Sequence, residues 1–355
     1  MQYLMGATSA AVDGNIAIDP FRNLMDNSTT PIEDQWFVQI GGAGVVERPG
    51  SPVDDEVMRA YEKMDLLCEQ MEPWHLHDPK APLHYVLNRV KGFTTDLAMR
   101  SAAPFLHRYL YRDNMPQSIL SCFAANVLYA NRTPANTAMV MRAVYNNAKE
   151  LVDVEASRVT ATPLERLARA QALFLYQVIR LLDGDVALRA QGERDMPLLR
   201  MWLADLCRVR ENLGDMARLG DREMRKQPPA EWKRWIFAES LRRTVLMAHS
   251  FISLYDLMKD PEGNGDESTW GYAHRWTLSR HLWAADSSSE FVRMWKEKPH
   301  FVITNYSLDY FLGNGRGEDA DEFAEIILSI YMGVDEKDEF VSVTAGRASA
   351  APAIR

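Results

Sequence analysis

The sequence predicts an all-α protein: a single large multi-helix domain, entered by an irregular N-terminal segment and left by a frayed C-terminal tail. Three observations predict it. Apolar residues recur every three or four positions along most of the chain, the spacing that lines one face of a helix. The connections between those stretches are short. Strand signals are nearly absent, confined to Trp36–Ile40 and Phe340-Val-Ser-Val-Thr344.

Residues 1–56 carry the punctuation of an irregular segment: Asn27-Ser-Thr-Thr-Pro31, Gly41-Gly-Ala-Gly44 and Arg48-Pro-Gly-Ser-Pro52. Trp36-Phe-Val-Gln-Ile40 between them reads as one short strand or an anchoring segment. The character changes near Pro52. Asp54, Asp55 and Glu56 make an acidic first turn for a helix whose apolar positions are Val57, Tyr61, Met64 and Leu67. The domain predicted over 57–335 then continues with helices near 81–90, 94–111, 116–130, 134–151, 163–183, 196–217, 229–258, 269–284, 288–296, 302–312 and 318–332. Thr133-Pro134, Thr162-Pro163-Leu-Glu165 and Pro229 stand just inside three of the starts. No fixed-period repeat is present, so helices packing at assorted angles are expected rather than a simple four-helix bundle. Residues 336–355 form the tail; Ala345 to Arg355, rich in Ala and carrying Pro352, should fray.

The helix from Trp232 is the best defined. Leu241, Val245, Ala248, Ile252 and Tyr255 step by four, three, four and three. That stripe is a core face or a helix-pairing seam, and it is too short for the heptads a coiled coil needs. Trp232 and Trp235 share one side of the helix, and Glu239 precedes Arg243 by four residues, the favourable order for an ion pair.

Bulk properties narrow the function. The 355 residues carry 40 Lys and Arg against 49 Asp and Glu, a formal net charge of -9, with no dense basic cluster. That balance argues against these residues gripping DNA phosphates. Cys68, Cys122 and Cys207 are too far apart for a disulfide framework or a cysteine-rich zinc site, and are expected to be reduced and buried. The first residues do not read as a secretory signal, and no run of eighteen apolar residues predicts a membrane span.

Candidate chemistry is sparse. His75, His77, Asp78 and His84 gather zinc-type ligands, but their spacing fits no zinc motif and reads as an inter-helix loop. Asp183-Gly-Asp185, with Glu193 and Asp195 nearby, could hold a divalent ion; a helix stop followed by a turn reads better. Gly313-Asn-Gly315-Arg-Gly317 lacks the spacing of a phosphate loop and reads as a flexible connector. No Gly-x-Ser-x-Gly elbow is present, and no cysteine has a nucleophile's partner. No catalytic residue, metal ligand or cofactor is therefore assigned, and the sequence names no cofactor-binding residue.

Five stretches carry a family resemblance. Pro104-Phe-Leu-His107-Arg-Tyr-Leu-Tyr111 is the first. Leu167 to Asp185, with Gln171-Ala-Leu and its continuation Arg189-Ala-Gln-Gly-Glu193, is the second. Trp232-Lys-Arg-Trp235 through Glu239-Ser-Leu-Arg242-Arg243-Thr244 is the third. Leu282-Trp283-Ala-Ala with Glu290-Phe291-Val-Arg-Met-Trp295 follows, and Asp321-Glu-Phe323 to Asp335 closes the series. In this order they resemble the large helical regulatory domain of fungal binuclear zinc-cluster transcription factors, over most of residues 57–335. The family's DNA reader needs six closely spaced cysteines, which these residues lack, so direct DNA reading is not carried over.

The resemblance implies a nuclear regulatory domain, with cytoplasm as the other location, that controls activation or dimer assembly. Its partner would be a protein, or a homo- or heterodimer made through helical surfaces, with a small-molecule effector also admitted. It implies neither a membrane nor a nucleic acid partner for these residues. Trp232, Trp235, Glu239, Arg242, Arg243, Trp283 and Trp295 form the expected structural signature, because charged groups within a helical core need partners. The alternative is a secondary-metabolism enzyme or small-molecule binder on the same scaffold, favoured if His107, Asp183 or His281 converge on an aromatic pocket. A third reading is a partner that binds a full-length relative and silences it.

Overall fold

A computed structural model describes residues 71–211, 227–260, 275–304 and 306–345. Their α-helices are α1 (Pro82–Arg100), α2 (Gln117–Ala130), α3 (Thr137–Glu155), α4 (Pro163–Leu182), α5 (Val186–Glu211), α6 (Trp232–Lys259), α7 (Arg280–Trp283), α8 (Ser288–Glu297), α9 (Asp309–Asn314), α10 (Glu322–Met332) and α11 (Val334–Ala345). Short 3-10 turns cover Pro73–His77 and Gly317–Asp319. Two strands, β1 (Arg275–Leu278) and β2 (Phe301–Thr304), pair antiparallel with Trp276 opposite Ile303. The all-α prediction stands, with this one two-stranded sheet added among the described residues. No described helix is long and apolar enough to cross a membrane.

Two helices form the core. α4 starts where its sequence dictates: the Glu165 N–H donates to Thr162 Oγ1 (3.3 Å), the Thr162 N–H donates to the Glu165 carboxylate (2.8 Å), and Pro163 takes the first turn. Every residue from Pro163 to Leu181 is buried apart from Glu165 and Arg166. α1, α2, α3, α5 and α6 all pack on it. α6 is buried without a break from Trp235 to His249 and lies against α4, α5 and β1. Phe93, Phe105, Phe174 and Phe251 stitch α1, the 104 segment, α4 and α6 together at ring separations of 5.3, 5.0 and 5.3 Å. Each such ring withdrawn from water contributes about 1.5–3 kcal/mol. A helix buried on all sides has no wet face, so its charged side chains must find partners inside the protein.

Several predicted elements are corrected. The two helices expected at 81–90 and 94–111 are instead one helix, α1, followed by a turn. α1 runs through Gly92 and stops at Ser101, whose φ of 51° is left-handed. Pro104 cannot donate to a helix, and Ala103 and Leu106 exchange backbone hydrogen bonds of 3.0 and 2.9 Å. The helix expected to begin at 196 begins at Val186 and carries Pro197 in its interior. Proline removes one N–H from the ladder there, and Gln177 Nε2 donates to the neighbouring Gly192 carbonyl (2.9 Å).

Of the helix expected over 269–284, residues 269–274 lie outside the described residues and the rest is β1 followed by the single turn of α7; that over 302–312 is β2 followed by α9. Phe340–Thr344, read as a strand from its β-branched residues, lies in α11, where burial of Lys337 and Thr344 sets a helical spacing. The irregular segment 1–56, Trp36–Ile40, the helix from 54, Cys68 and residues 346–355 lie outside the described residues.

Candidate functional site

α6 places Glu239, Arg242 and Arg243 on adjacent turns where no water reaches. All three are at most 2% exposed. Glu239 Oε2 accepts from Arg242 Nη2 (2.7 Å) and Nε (3.1 Å); Oε1 accepts from Arg243 Nε (2.9 Å) and from the Thr277 N–H (2.9 Å). Burial alone would raise the Glu239 carboxyl above its usual range. The Arg242 and Arg243 charges and the Thr277 N–H outweigh it and hold the group below that range.

Arg243 reaches furthest. Its guanidinium donates to the Pro104 carbonyl (3.3 Å) and the Thr277 carbonyl (2.9 Å) and pairs with Asp321 Oδ2 (2.7 Å). Its carbon lies 3.9 Å from the Trp283 ring centroid and 5.0 Å from that of Phe323. Asp321 meanwhile caps α10 by accepting the Ala324 N–H (3.0 Å). One arginine thereby joins α6, the 104 segment, β1, α7 and the start of α10. Two cations face two carboxylates, so the centre is neutral.

The signature tryptophans run out from this centre as one aromatic chain. Trp283 meets His107 edge-on at 4.8 Å and Trp235 at 6.4 Å; Trp235 packs on Phe291 (4.8 Å), Phe291 on Trp295 (5.5 Å), and Trp295 on His300 (4.5 Å). Trp232 caps the other end against His107 (6.3 Å) and Tyr109 (5.6 Å). His107 is 1% exposed. Burial, helped by the neighbouring Arg108 charge, pushes its imidazole down to about 3, so the ring is neutral and its Nδ1 accepts the Tyr109 N–H (3.2 Å).

A polar seam between α4 and α6 completes the arrangement. Tyr111 Oη donates to Gln171 Oε1 (2.6 Å), Gln171 Nε2 donates to Thr244 Oγ1 (2.8 Å), and Thr244 Oγ1 donates to the Ser240 carbonyl (2.7 Å). The five stretches of the resemblance, separate in sequence, thus meet around one buried point. The Glu239–Arg243 pair was legible from its spacing of four. Asp321, the Thr277 backbone and the Pro104 carbonyl were not, since no local rule links them; the one local sign was Asp321-Glu-Phe323, an acidic helix start. α10 begins with three carboxylates held by four arginines. Besides Asp321 with Arg243, Glu322 takes Arg100 (2.8 Å) and Arg89 (3.4 Å), and Glu325 takes Arg280 (3.0 Å).

The remaining candidates go elsewhere. The expected inter-helix loop is instead a 3-10 turn holding His75 and His77 and the first turn of α1 holding His84: His84 Nδ1 contacts the Leu76 carbonyl (2.7 Å), His75 Nδ1 accepts the Glu72 N–H (3.1 Å) and Asp78 accepts the Lys80 N–H (3.0 Å). Asp183 accepts from Tyr129 Oη (2.5 Å) and pairs with Arg132. Gly184 at φ +100° turns the chain, and Asp185 caps α5 by accepting the Leu188 N–H (2.8 Å). Asp195 instead pairs with Arg180 (2.5 Å), which is fully buried. His281 approaches Asp319 at 3.7 Å. His107, Asp183 and His281 therefore have different partners and do not converge. Gly317, expected in a flexible connector, is buried against α11. Cys122 and Cys207 are buried, and neither is in a disulfide. Among the described residues no group of three or more His, Cys, Asp or Glu is placed to hold a metal ion.

No family model matches the chain. No solved structure matches it. A transcription factor from Penicillium aethiopicum, gsfR2, is 29% identical over 263 residues, which cover 74% of this chain and 62% of that protein. The chain thus spans less than two thirds of its relative. Over most of its own length, it is similar to a fungal transcription factor.

Proposed function

We propose that this chain is a regulatory region acting in fungal transcription, in the nucleus, which receives a protein partner or a small-molecule effector through its helical body. The observation that carries the reading is the similarity to gsfR2 over 74% of the chain. The meeting of four of the five resembling stretches at Arg243, with the other joined to them through the Gln171–Thr244 hydrogen bond, supports it, because a shared centre accounts for why those stretches occur together. On this reading Glu239, Arg242, Arg243 and the four signature tryptophans are architectural residues. They hold the helices at fixed angles so that an outer surface can be read by a partner. DNA contact is not assigned to these residues, which carry a net charge of -9.

Tethering the full chain to a heterologous DNA-binding module at a reporter promoter in a filamentous fungus tests the reading. The expected result is a several-fold change in reporter output over the module alone, lost in the Glu239→Ala variant at equal protein level. Output unchanged by the tethered wild-type chain, together with its exclusion from the nucleus, would overturn it.

A further inference from the structure

α11 differs from every other long helix in how it is attached. α10 is built into the core, with Phe323, Ile326, Ile327, Leu328 and Tyr331 all buried. α11 follows after a single residue, Gly333, whose φ of +92° and ψ of 165° lie where side chains are rarely accommodated; a Cβ there would come 2.5 Å from the Glu336 carboxylate. In the twelve residues of α11, just Lys337 and Thr344 are buried. Asp335, Glu336, Asp338 and Glu339 face solvent, and Val341 and Val343 stay exposed at 38% and 55%.

α11 rests on α10 and on the Gly317–Asp319 turn. Lys337 Nζ sits 4.6 Å from the Tyr85 ring centroid and 3.0 Å from Asp338. Phe340 meets Phe311 at 5.6 Å. Thr344 Oγ1 accepts the Gly317 N–H (2.9 Å). At Gly317 the two backbones approach so closely that a Cβ would stand 2.7 Å from Val341 Cα.

From the glycine hinge, the thin apolar contact and the glycine-dependent seat, we infer that α11 is a releasable strap. It swings about Gly333 while α10 stays in the core, and its release uncovers Tyr85, Phe311 and the Gly317 turn. Segments with little buried apolar surface open by themselves at a fraction of the global unfolding free energy. The strap is a device for switching access to that edge of the body, and it does not depend on the transcriptional reading.

Native-state hydrogen exchange on the full chain, read by mass spectrometry, tests it. The amides of Asp338–Ala345 should exchange about 100-fold faster than those of Ile326–Tyr331, with a shallower dependence on low denaturant. Gly317→Ala should speed α11 about tenfold further and leave α10 unchanged, and Thr344→Val, which removes the acceptor without adding bulk, should act in the same direction. Equal exchange of α10 and α11 in the wild-type chain, with a shared denaturant dependence, would overturn the strap. So would variants that speed both helices together.

Discussion

Replacing Glu239 by alanine should be among the most damaging single changes in the chain. The side chain accepts four hydrogen bonds, and its removal strands two different donors. Arg242 loses both of the bonds formed by its Nε and Nη2. Its Nη1 has no hydrogen-bond acceptor among the described residues, so the guanidinium is left buried without a counter-charge. Orphaning a buried charge costs about 3–5 kcal/mol. The Thr277 N–H, also buried, adds about 1–3 kcal/mol if water does not enter. Arg243 suffers less, since Asp321, two carbonyls and Trp283 remain. The terms overlap, and the expected loss is roughly 5 kcal/mol, a large share of the 5–15 kcal/mol typical of a folded protein. Urea unfolding followed by tryptophan fluorescence should show the midpoint falling by about 1.5 M or more. Arg242→Met leaves the carboxylates of Glu239 and Asp321 facing Arg243 alone, so it too should cost about 3–5 kcal/mol. The double variant Glu239→Ala/Arg242→Met is decisive: it leaves Arg243 paired with Asp321 and should recover part of the single-variant loss. A Glu239→Ala loss under about 2 kcal/mol, or a double variant worse than the sum of its parts, would refute the account of a neutral, mutually satisfied centre.

Three other outcomes follow from the geometry. Because the buried His107 imidazole is held neutral down to about 3, the unfolded chain binds more protons than the folded one below the ordinary histidine value. Its contribution is complete above about pH 6.5 and lost as the pH falls from there towards 3; His107→Asn should flatten the urea midpoint between pH 6.5 and 4, and an unchanged slope would count against it. Glu239 acts in a lower window: its carboxyl is depressed in the folded state, so its contribution holds above the ordinary carboxylate range and disappears as the pH drops through its folded value. Gly192→Ala should cost about 1–3 kcal/mol in thermal or urea unfolding, since the new Cβ would stand 2.7 Å from Leu181 Cδ2 and 2.9 Å from Gln177 Oε1 between α4 and α5.

The helical architecture was legible because α4 and α6 announce themselves locally, through the Thr162–Glu165 capping box and the stripe from Leu241 to Tyr255. The two-stranded sheet was not. β1 and β2 are four residues each and largely buried, and a short buried strand such as Arg275-Trp-Thr-Leu278 has the same apolar look as a helix turn. The start of α5 at Val186 was not legible either, because proline is commoner at a helix start than inside one, and the interior place of Pro197 depends on packing that the sequence does not display. The centre was half legible for a similar reason. Glu239, Arg242 and Arg243 lie within five residues of each other, whereas the groups that complete their shell come from Pro104, Thr277 and Asp321, which the fold alone brings near.

That distance along the chain has a consequence for synthesis. Roughly eighty residues separate Arg243 from Asp321, and a ribosome adding about 5–20 residues per second needs several seconds to cover them. For that interval the nascent chain holds the two guanidinium groups of Arg242 and Arg243 against the single carboxylate of Glu239, with Asp321 still unmade. α6 cannot settle early in such a chain, and the body is expected to close late and all at once, which makes newly made protein a natural client for chaperones until α10 emerges.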